Sequence, residues 1–301
     1  MFIYIARDMQ FGFVLPAGDA RTAADLAQLA ERSGWDAFFV YEPVWGVDAW
    51  VSLTAAAMRT ERIKLGTLLT PLPRRKPWDL AGQTAALDNL SGGRVILSVG
   101  LGALHDGWTA FERDEGRRTR AEKLDEGLDV LTGLWAGQPF SYAGKHYQVQ
   151  PTDFGVPPPP VQQPRITTWV VGAWPHPKSM RRAARFDGWL PNYMPRDASR
   201  DAPRDGGYAT LTPDVLRDAV EWIRRERGER SAPYDVVVEG NTFGEDRETA
   251  SAHVREWAAA GATWWIEANW LVEGPVEAYA RSRLAAGPPR LNAPSASRGA
   301  G

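Results

Sequence analysis

The sequence predicts a single (β/α)₈ barrel, and three observations carry that expectation. Residues 63–102, IKLGTLLTPLPRRKPWDLAGQTAALDNLSGGRVILSVGLG, set two apolar runs (63–69 and 95–99) on either side of a helix-patterned stretch that opens after Pro77. Neither run alternates cleanly between polar and apolar residues, as befits strands buried on both faces of a parallel sheet. Strand–helix repeats of this kind recur eight times in about 280 residues, close to the roughly 250 plus insertions typical of the barrel. The turn after the first strand reads Pro16-Ala17-Gly18-Asp19 and lacks the GxGxxG of an open, doubly wound dinucleotide fold.

Each element follows from its pattern. The first strand covers 10–15. A helix over 19–33 has a small-residue face of Ala20, Ala23, Ala24, Ala27 and Ala30, and Gly34 closes it. A second buried strand, 36–41, ends in Glu42-Pro43; a helix over 48–59 leads to the third strand, 63–69. The third helix, 77–90, carries Leu80, Thr84, Leu87 and Leu90 at helical spacing, stops at Ser91-Gly92-Gly93, and gives way to the fourth strand. Beyond a polar loop, 103–116, Leu124, Leu128, Leu131 and Trp135 mark a helix over 120–135. Residues 137–165 interrupt the rhythm as an insertion, with a hairpin (140–142, 147–149, turning at Ala143-Gly144) and a proline run, Pro157 to Pro160. Strands at 166–171, 188–190, 234–239 and 263–268 then alternate with helices at 178–186, 213–227, 247–260 and 275–286. The polar stretch 192–210 is long enough to serve as an active-site loop, and 287–301 reads as a disordered tail. One domain over 1–286 is the expectation.

Composition excludes several functions. Absence of cysteine removes disulfides, thiolate catalysis and cysteine-ligated metals, and the four histidines lack HExxH-type pairing, so no metal site is expected. A net charge of -2 argues against nucleic-acid binding through a basic field. No apolar run reaches the roughly 18 residues that span a bilayer. Residues 1–7 are too short for a signal peptide, so a cytoplasmic location is expected.

The segment from Gly66 to Gly102, with FGFVLP at Phe11, GWDAFFVYE at Gly34, LDEGLDVLTGLW at Leu124 and RRAARFDGWLP at Arg181, resembles the bacterial-luciferase-like superfamily. The ordered set covers almost the whole barrel. The resemblance implies an oxidoreductase using reduced FMN or the deazaflavin coenzyme F420, and it favours a homodimer. It places a non-proline cis peptide at Leu68-Leu69, under the ring. It puts Arg120 and Ser179 on the cofactor phosphate, with the helix start after the fifth strand supplying free N–H groups. It lets the cofactor chain pass close to Gly172 and Ala173. Thr70, Gly100, Gly102 and His176, in the loops at the same barrel end, complete the expected cofactor contacts. Two departures stand out: Glu42-Pro43 replaces the Asp-His of many deazaflavin enzymes, and Ala103 stands where some dehydrogenases carry a catalytic Glu. Sugar-phosphate dehydrogenation is therefore disfavoured. The leading expectation is monooxygenation with reduced FMN from a partner reductase, on a small organic substrate. Hydride transfer with F420 and a non-catalytic flavin-binding barrel are the alternatives.

Catalytic candidates follow from position at the carboxyl ends of the strands, where barrel enzymes hold their sites. His105, in the loop after the fourth strand, is a general base or a plain surface residue. Glu42 is structural if paired with a cation, and binds or deprotonates substrate if alone. Glu239, Asn241, Glu267 and Asn269 close the last two strands; Asn269 is taken as catalytic and Asn241 as a substrate contact, against a capping role for both. Trp45, Trp108 and Trp174 are expected to wall a pocket for an apolar or planar substrate. Arg74, Arg75 and Lys76 form a basic run that either binds an acidic cofactor tail or is simply solvated.

Overall fold

A computed structural model describes residues 9–104, 107–195, 210–228, 230, 232–289 and 291. The barrel strands are β1 (Gln10–Leu15), β2 (Ala37–Val40), β3 (Lys64–Pro71), β4 (Val95–Gly100), β7 (Thr167–Trp174), β8 (Gly188–Tyr193), β9 (Asp235–Gly240) and β10 (Trp264–Glu267). They close in the order β1-β10-β9-β8-β7-β4-β3-β2, and every neighbouring pair is parallel. Around them run α1 (Ala20–Arg32), α2 (Ala49–Ala57), α3 (Pro77–Ser91), α4 (Arg117–Ala136), α5 (Pro177–Ala184), α6 (Pro213–Arg227), α7 (Arg247–Ala259) and α8 (Val276–Ala285). The expected (β/α)₈ barrel is thus present. None of the described helices is long and apolar enough to cross a membrane.

Short polar residues set the helix starts. Asp19 accepts from the Thr22 amide at 2.7 Å, Asp48 from Trp50 and Val51 at 2.8 and 2.9 Å, and Asp246 from Thr249 at 2.8 Å. Each bond satisfies an amide the helix leaves open. Proline opens α3 and α5, and Gly92 (φ +68°) ends α3 in the left-handed region.

Two apolar cores result. The larger lies between barrel and helices and includes Phe13, Phe38, Leu53, Leu128 and Trp265. The smaller fills the barrel interior with Phe39, Leu68, Ile96, Trp169, Leu190, Val237, Trp264 and Ile266. Trp169 lies 5.4 Å from Phe39 and 5.1 Å from Trp264, ring centre to ring centre. This plug leaves only the carboxyl-end mouth for a ligand.

The insertion folds against α4. The Glu126 carboxylate accepts from the amides of Lys145, His146 and Tyr147 at 2.8–3.0 Å, beside the short hairpin of β5 (Tyr142–Ala143) and β6 (Gln148–Val149). Its turn spans 144–147, later than the alanine–glycine pair that the sequence suggested. Two further boundaries differ. The α4 helix starts three residues early, at Arg117, and β8 continues to Tyr193 because Asn192 and Tyr193 pair with Ala173 and Trp174 of β7. Pro191, just past the expected strand, sits within β8.

Candidate active site

Strand alternation decides which rim residues face the mouth. Leu68, Ile96, Trp169, Leu190, Val237 and Ile266 point inward. Two residues further along their strands, the same face carries Gly100 (beyond Ser98), Val171 and Ala173, Asn192 and Glu239. On β2, Phe39 is inside, so Tyr41 follows it toward the mouth.

One side of the mouth is a bare apolar floor. The Leu68–Leu69 peptide is cis, at the position where the resemblance places one, and β3 slips register against β4 between Thr67 and Thr70. Leu68 is buried in the plug, while Leu69 is half-buried above it. A Cβ added at Gly100 would lie 3.1 Å from both Leu69 Cδ1 and Val171 Cγ2. Leu69, Gly100, Val171 and Ala173 thus converge from β3, β4 and β7 at one side of the mouth.

Behind this floor, Thr70 and Glu42 are fully engaged. Thr70 donates to Glu42 Oε2 and meets Thr67 Oγ1 at 2.8 Å; Arg75 Nη1 donates to Glu42 Oε1 at 2.6 Å and also meets Gln83. Burial pushes the Glu42 carboxyl up, with Arg75 and the Thr70 hydrogen bond pulling against it. Paired with a cation and only 8% exposed, Glu42 takes the structural role rather than the expected catalytic one. Thr70, with none of its surface exposed, likewise braces the β3 bulge and does not reach a ligand. The basic run is divided: Arg75 serves Glu42, and Arg74 bridges to Glu112.

A second group forms a cleft of about 550 Å³ between the loop after β3, the loop after β4 and α4. Trp108 is buried between two guanidinium groups, Arg74 at 5.1 Å and Arg120 at 5.4 Å from its ring centre, and donates to the Ala103 carbonyl at 2.7 Å. Arg120 donates to the Gly102 carbonyl at 2.8 Å and lies 3.3 Å from Asp114. Gly102 has φ +76°, and a Cβ there would reach Pro71 at 3.0 Å. Trp108 thus lines this cleft, as the sequence suggested for a pocket, with both arginines near its ring. Arg120 borders the cleft, but an anion there has to share it with Asp114.

On the β7 side, Ser179 Oγ accepts from the Ala173 amide at 2.9 Å, so the first turn of α5 is tied to the floor. His176 Nε2 lies 3.1 Å from the Met194 carbonyl; that oxygen only accepts, so Nε2 carries the proton. The ring holds two strand ends together. Gly172 does not face the mouth: a Cβ on it would meet Trp189 at 2.6 Å and Met180 at 3.0 Å, so the space it leaves belongs to Trp189. Trp174 packs edge-on against Trp222 of α6, 6.2 Å away, in the outer layer. Both expected contacts, Gly172 to the cofactor and Trp174 to the substrate, are corrected by the alternation of β7.

The facing wall was only half read from the sequence. Trp270 Nε1 donates to Glu239 Oε2 at 3.0 Å, and Tyr41 lies edge-on to Trp270 at 5.9 Å. Glu239 is reached by solvent through the mouth yet ringed by protein, and that surrounding pushes its carboxyl up. Asn192 Oδ1 is buried and, among the described residues, has no hydrogen-bond partner. Asn241 and Asn269 behave as caps: their side-chain oxygens accept from Phe243 and Leu271 at 2.9 and 3.2 Å. Asn269 follows Trp265 and Glu267 on the outward face of β10, so it leaves the catalytic set. Trp45 is 81% exposed and touches only the rim, 6.3 Å from Phe111. His105 and most of the expected 192–210 loop lie outside the described residues.

Comparison with known proteins agrees with this architecture. Residues 1–296 match the model of a family described as luciferase-like monooxygenase. A Mycobacterium tuberculosis protein named provisionally as a coenzyme F420-dependent oxidoreductase is 32% identical over 78% of this chain; the match spans 66% of that relative's length. An F420-dependent glucose-6-phosphate dehydrogenase of Nakamurella multipartita is 31% identical over 78% of the chain and 68% of its own. Among solved structures, the monooxygenase RslO1 of Streptomyces bottropensis superposes with a TM-score of 0.71 at 22% identity, covering 92% of this chain and 98% of that one. At that identity the likeness concerns the fold.

Proposed function

The chain belongs to the luciferase-like monooxygenase family of oxidoreductases, and on that premise we propose that it seats the tricyclic ring of coenzyme F420 in the barrel mouth and catalyses hydride transfer. The observation that carries the reading is the convergence of Leu69, Gly100, Val171 and Ala173 from three adjacent strands at the barrel mouth, beside the cis Leu68–Leu69 peptide. The residues present fit such a ring. Bound there, the deazaflavin supplies two-electron chemistry that needs no oxygen. The chain's own part is to hold the ring flat, to keep water from its buried face with the plug beneath, and to anchor the anionic end near Arg120 and Ser179. Two relatives with F420 in their names, each aligned over 78% of the chain, support this cofactor over FMN.

A second reading, monooxygenation with reduced FMN from a partner reductase, is favoured by Glu42-Pro43 and Ala103, the positions where the chain departs from the deazaflavin dehydrogenases. Titration of the purified chain with F420, FMN and reduced FMN, followed by cofactor fluorescence, separates the two. Tight F420 binding with oxygen-independent turnover supports the first reading. Preference for reduced FMN with oxygen consumption replaces it by the second. Binding without turnover of any reductant leaves a non-catalytic barrel.

A further inference from the structure

Beside and across from the floor, the mouth carries two side chains with hydrogen-bond acceptors left open: Asn192, next to Ala173, and Glu239. In the closed order of strands, β9 stands four places from β3, directly across the mouth. Alternation turns Glu239 inward from β9, as it does Asn192 from β8. The β8–β9 pairing runs through Gly188 beside Asp235 and Trp189 beside Val236; counted three residues further along each strand, Asn192 and Glu239 fall at corresponding positions on the inward face.

Their bonding is incomplete. Trp270 occupies Glu239 Oε2, and among the described residues no hydrogen bond uses Oε1. Asn192 Oδ1 is buried without a partner. A buried acceptor left unmet is unfavourable, and a donor from a ligand relieves it. Trp270 and Tyr41 form an aromatic side wall next to them.

We propose that Glu239 and Asn192 form a substrate subsite that selects molecules presenting O–H or N–H donors, cationic amines above all, and turns away phosphorylated ones. This rests on the proposed function, since it places substrate between the cofactor floor and the β8–β9 wall. In the Trp108 cleft Arg74 and Arg120 are already paired with Glu112 and Asp114, and Arg117 reaches Met194 at the end of β8, so among the described residues none of these three cations is paired with Glu239. A phosphate at the β8–β9 wall meets a carboxylate instead.

The test is binding, read by calorimetry on the full chain loaded with whichever cofactor the titration identifies. The probes are 2-aminocyclohexanol (cationic), cyclohexane-1,2-diol (neutral) and glucose 6-phosphate (anionic). Wild type is expected to bind the amino alcohol most tightly and glucose 6-phosphate least. Glu239→Gln should weaken the amino alcohol about tenfold and the diol much less, because a charge-assisted bond becomes a neutral one. Asn192→Leu should weaken both. Cofactor affinity should stay unchanged in both variants. Equal binding of all three probes by wild type, no binding of the amino alcohol, or variants that bind it like wild type would overturn the subsite. If wild type binds neither F420 nor flavin, the proposed cofactor falls; loss of amino-alcohol binding in Glu239→Gln without cofactor still upholds the subsite.

Discussion

Glu239 and Glu267 end neighbouring strands at the same rim of the barrel and do opposite work. Glu239 pairs in register with Ile266, so Glu267 is one step further along. That single step puts Glu239 on the inner wall and Glu267 in the outer shell. Glu267 has no exposed surface and receives Thr242 through amide and hydroxyl at 2.7 and 2.8 Å, Trp265 at 3.2 Å and Arg283 at 3.2 Å. Glu239 has Trp270 and open mouth. The comparison teaches that a carboxylate at a strand end says nothing about function until its face is known. A satisfied acid outside stabilises the fold, and an unsatisfied acid inside is available to a ligand.

The largest effect should come from breaking the outer one. Glu267→Leu leaves the buried Arg283 without its counter-charge, and about 3–5 kcal/mol of stability should disappear in urea unfolding. A loss below 1 kcal/mol would mean that Arg283 finds water or another acceptor. On the inner face, Gly100→Val should raise the cofactor dissociation constant about a hundredfold, equivalent to about 2.7 kcal/mol, by fluorescence titration. Unchanged affinity would remove the floor from the site. Ser179→Ala takes the acceptor from the Ala173 amide and should cost about 1 kcal/mol of stability.

Glu42 offers a subtler contrast, because it is an outer acid whose charged form burial disfavours. Its folded pKa is raised above the unfolded value near 4.5. Its contribution to stability is therefore fully present below that value and lost as pH rises through the folded one. Measured from about pH 4 to 8, wild type should lose stability relative to Glu42→Gln. The reverse slope would show that attraction to Arg75 outweighs desolvation. The smallest effect belongs to Glu239→Gln, which should change stability by no more than about 0.5 kcal/mol while altering substrate binding. A substantial loss would make Glu239 a second Glu267.

Much of the barrel was legible because its signals are local. Apolar runs, helix stripes, Asp N-caps and glycine stops lie within a few residues of one another. The β3 bulge and the floor at Gly100 were placed by resemblance to a family, and the structure has the cis peptide there. The site was legible only as a rim. Glu42, Thr70, Trp174 and Asn269 belong to the right end of the barrel, yet their side chains are spent on ion pairing, hydrogen bonding, packing or capping, and Gly172 makes room for Trp189. In the sequence Asn192 reads as the start of the 192–210 loop, whereas pairing with β7 carries the strand past residue 190. Counting alternation outward from Leu190 and Val237 was the available signal for Asn192 and Glu239. It needed strand limits accurate to one residue.

Alone, the sequence determined the strand–helix repeat and the closed parallel sheet. These depend on periodicity and chain stiffness, which neighbouring residues settle among themselves. Only the tertiary structure decided which acids are satisfied. Glu42 meets Arg75 across 33 residues of chain and Glu267 meets Arg283 across 16, and one residue of strand alternation separates a buried ion pair from an open acceptor in the mouth.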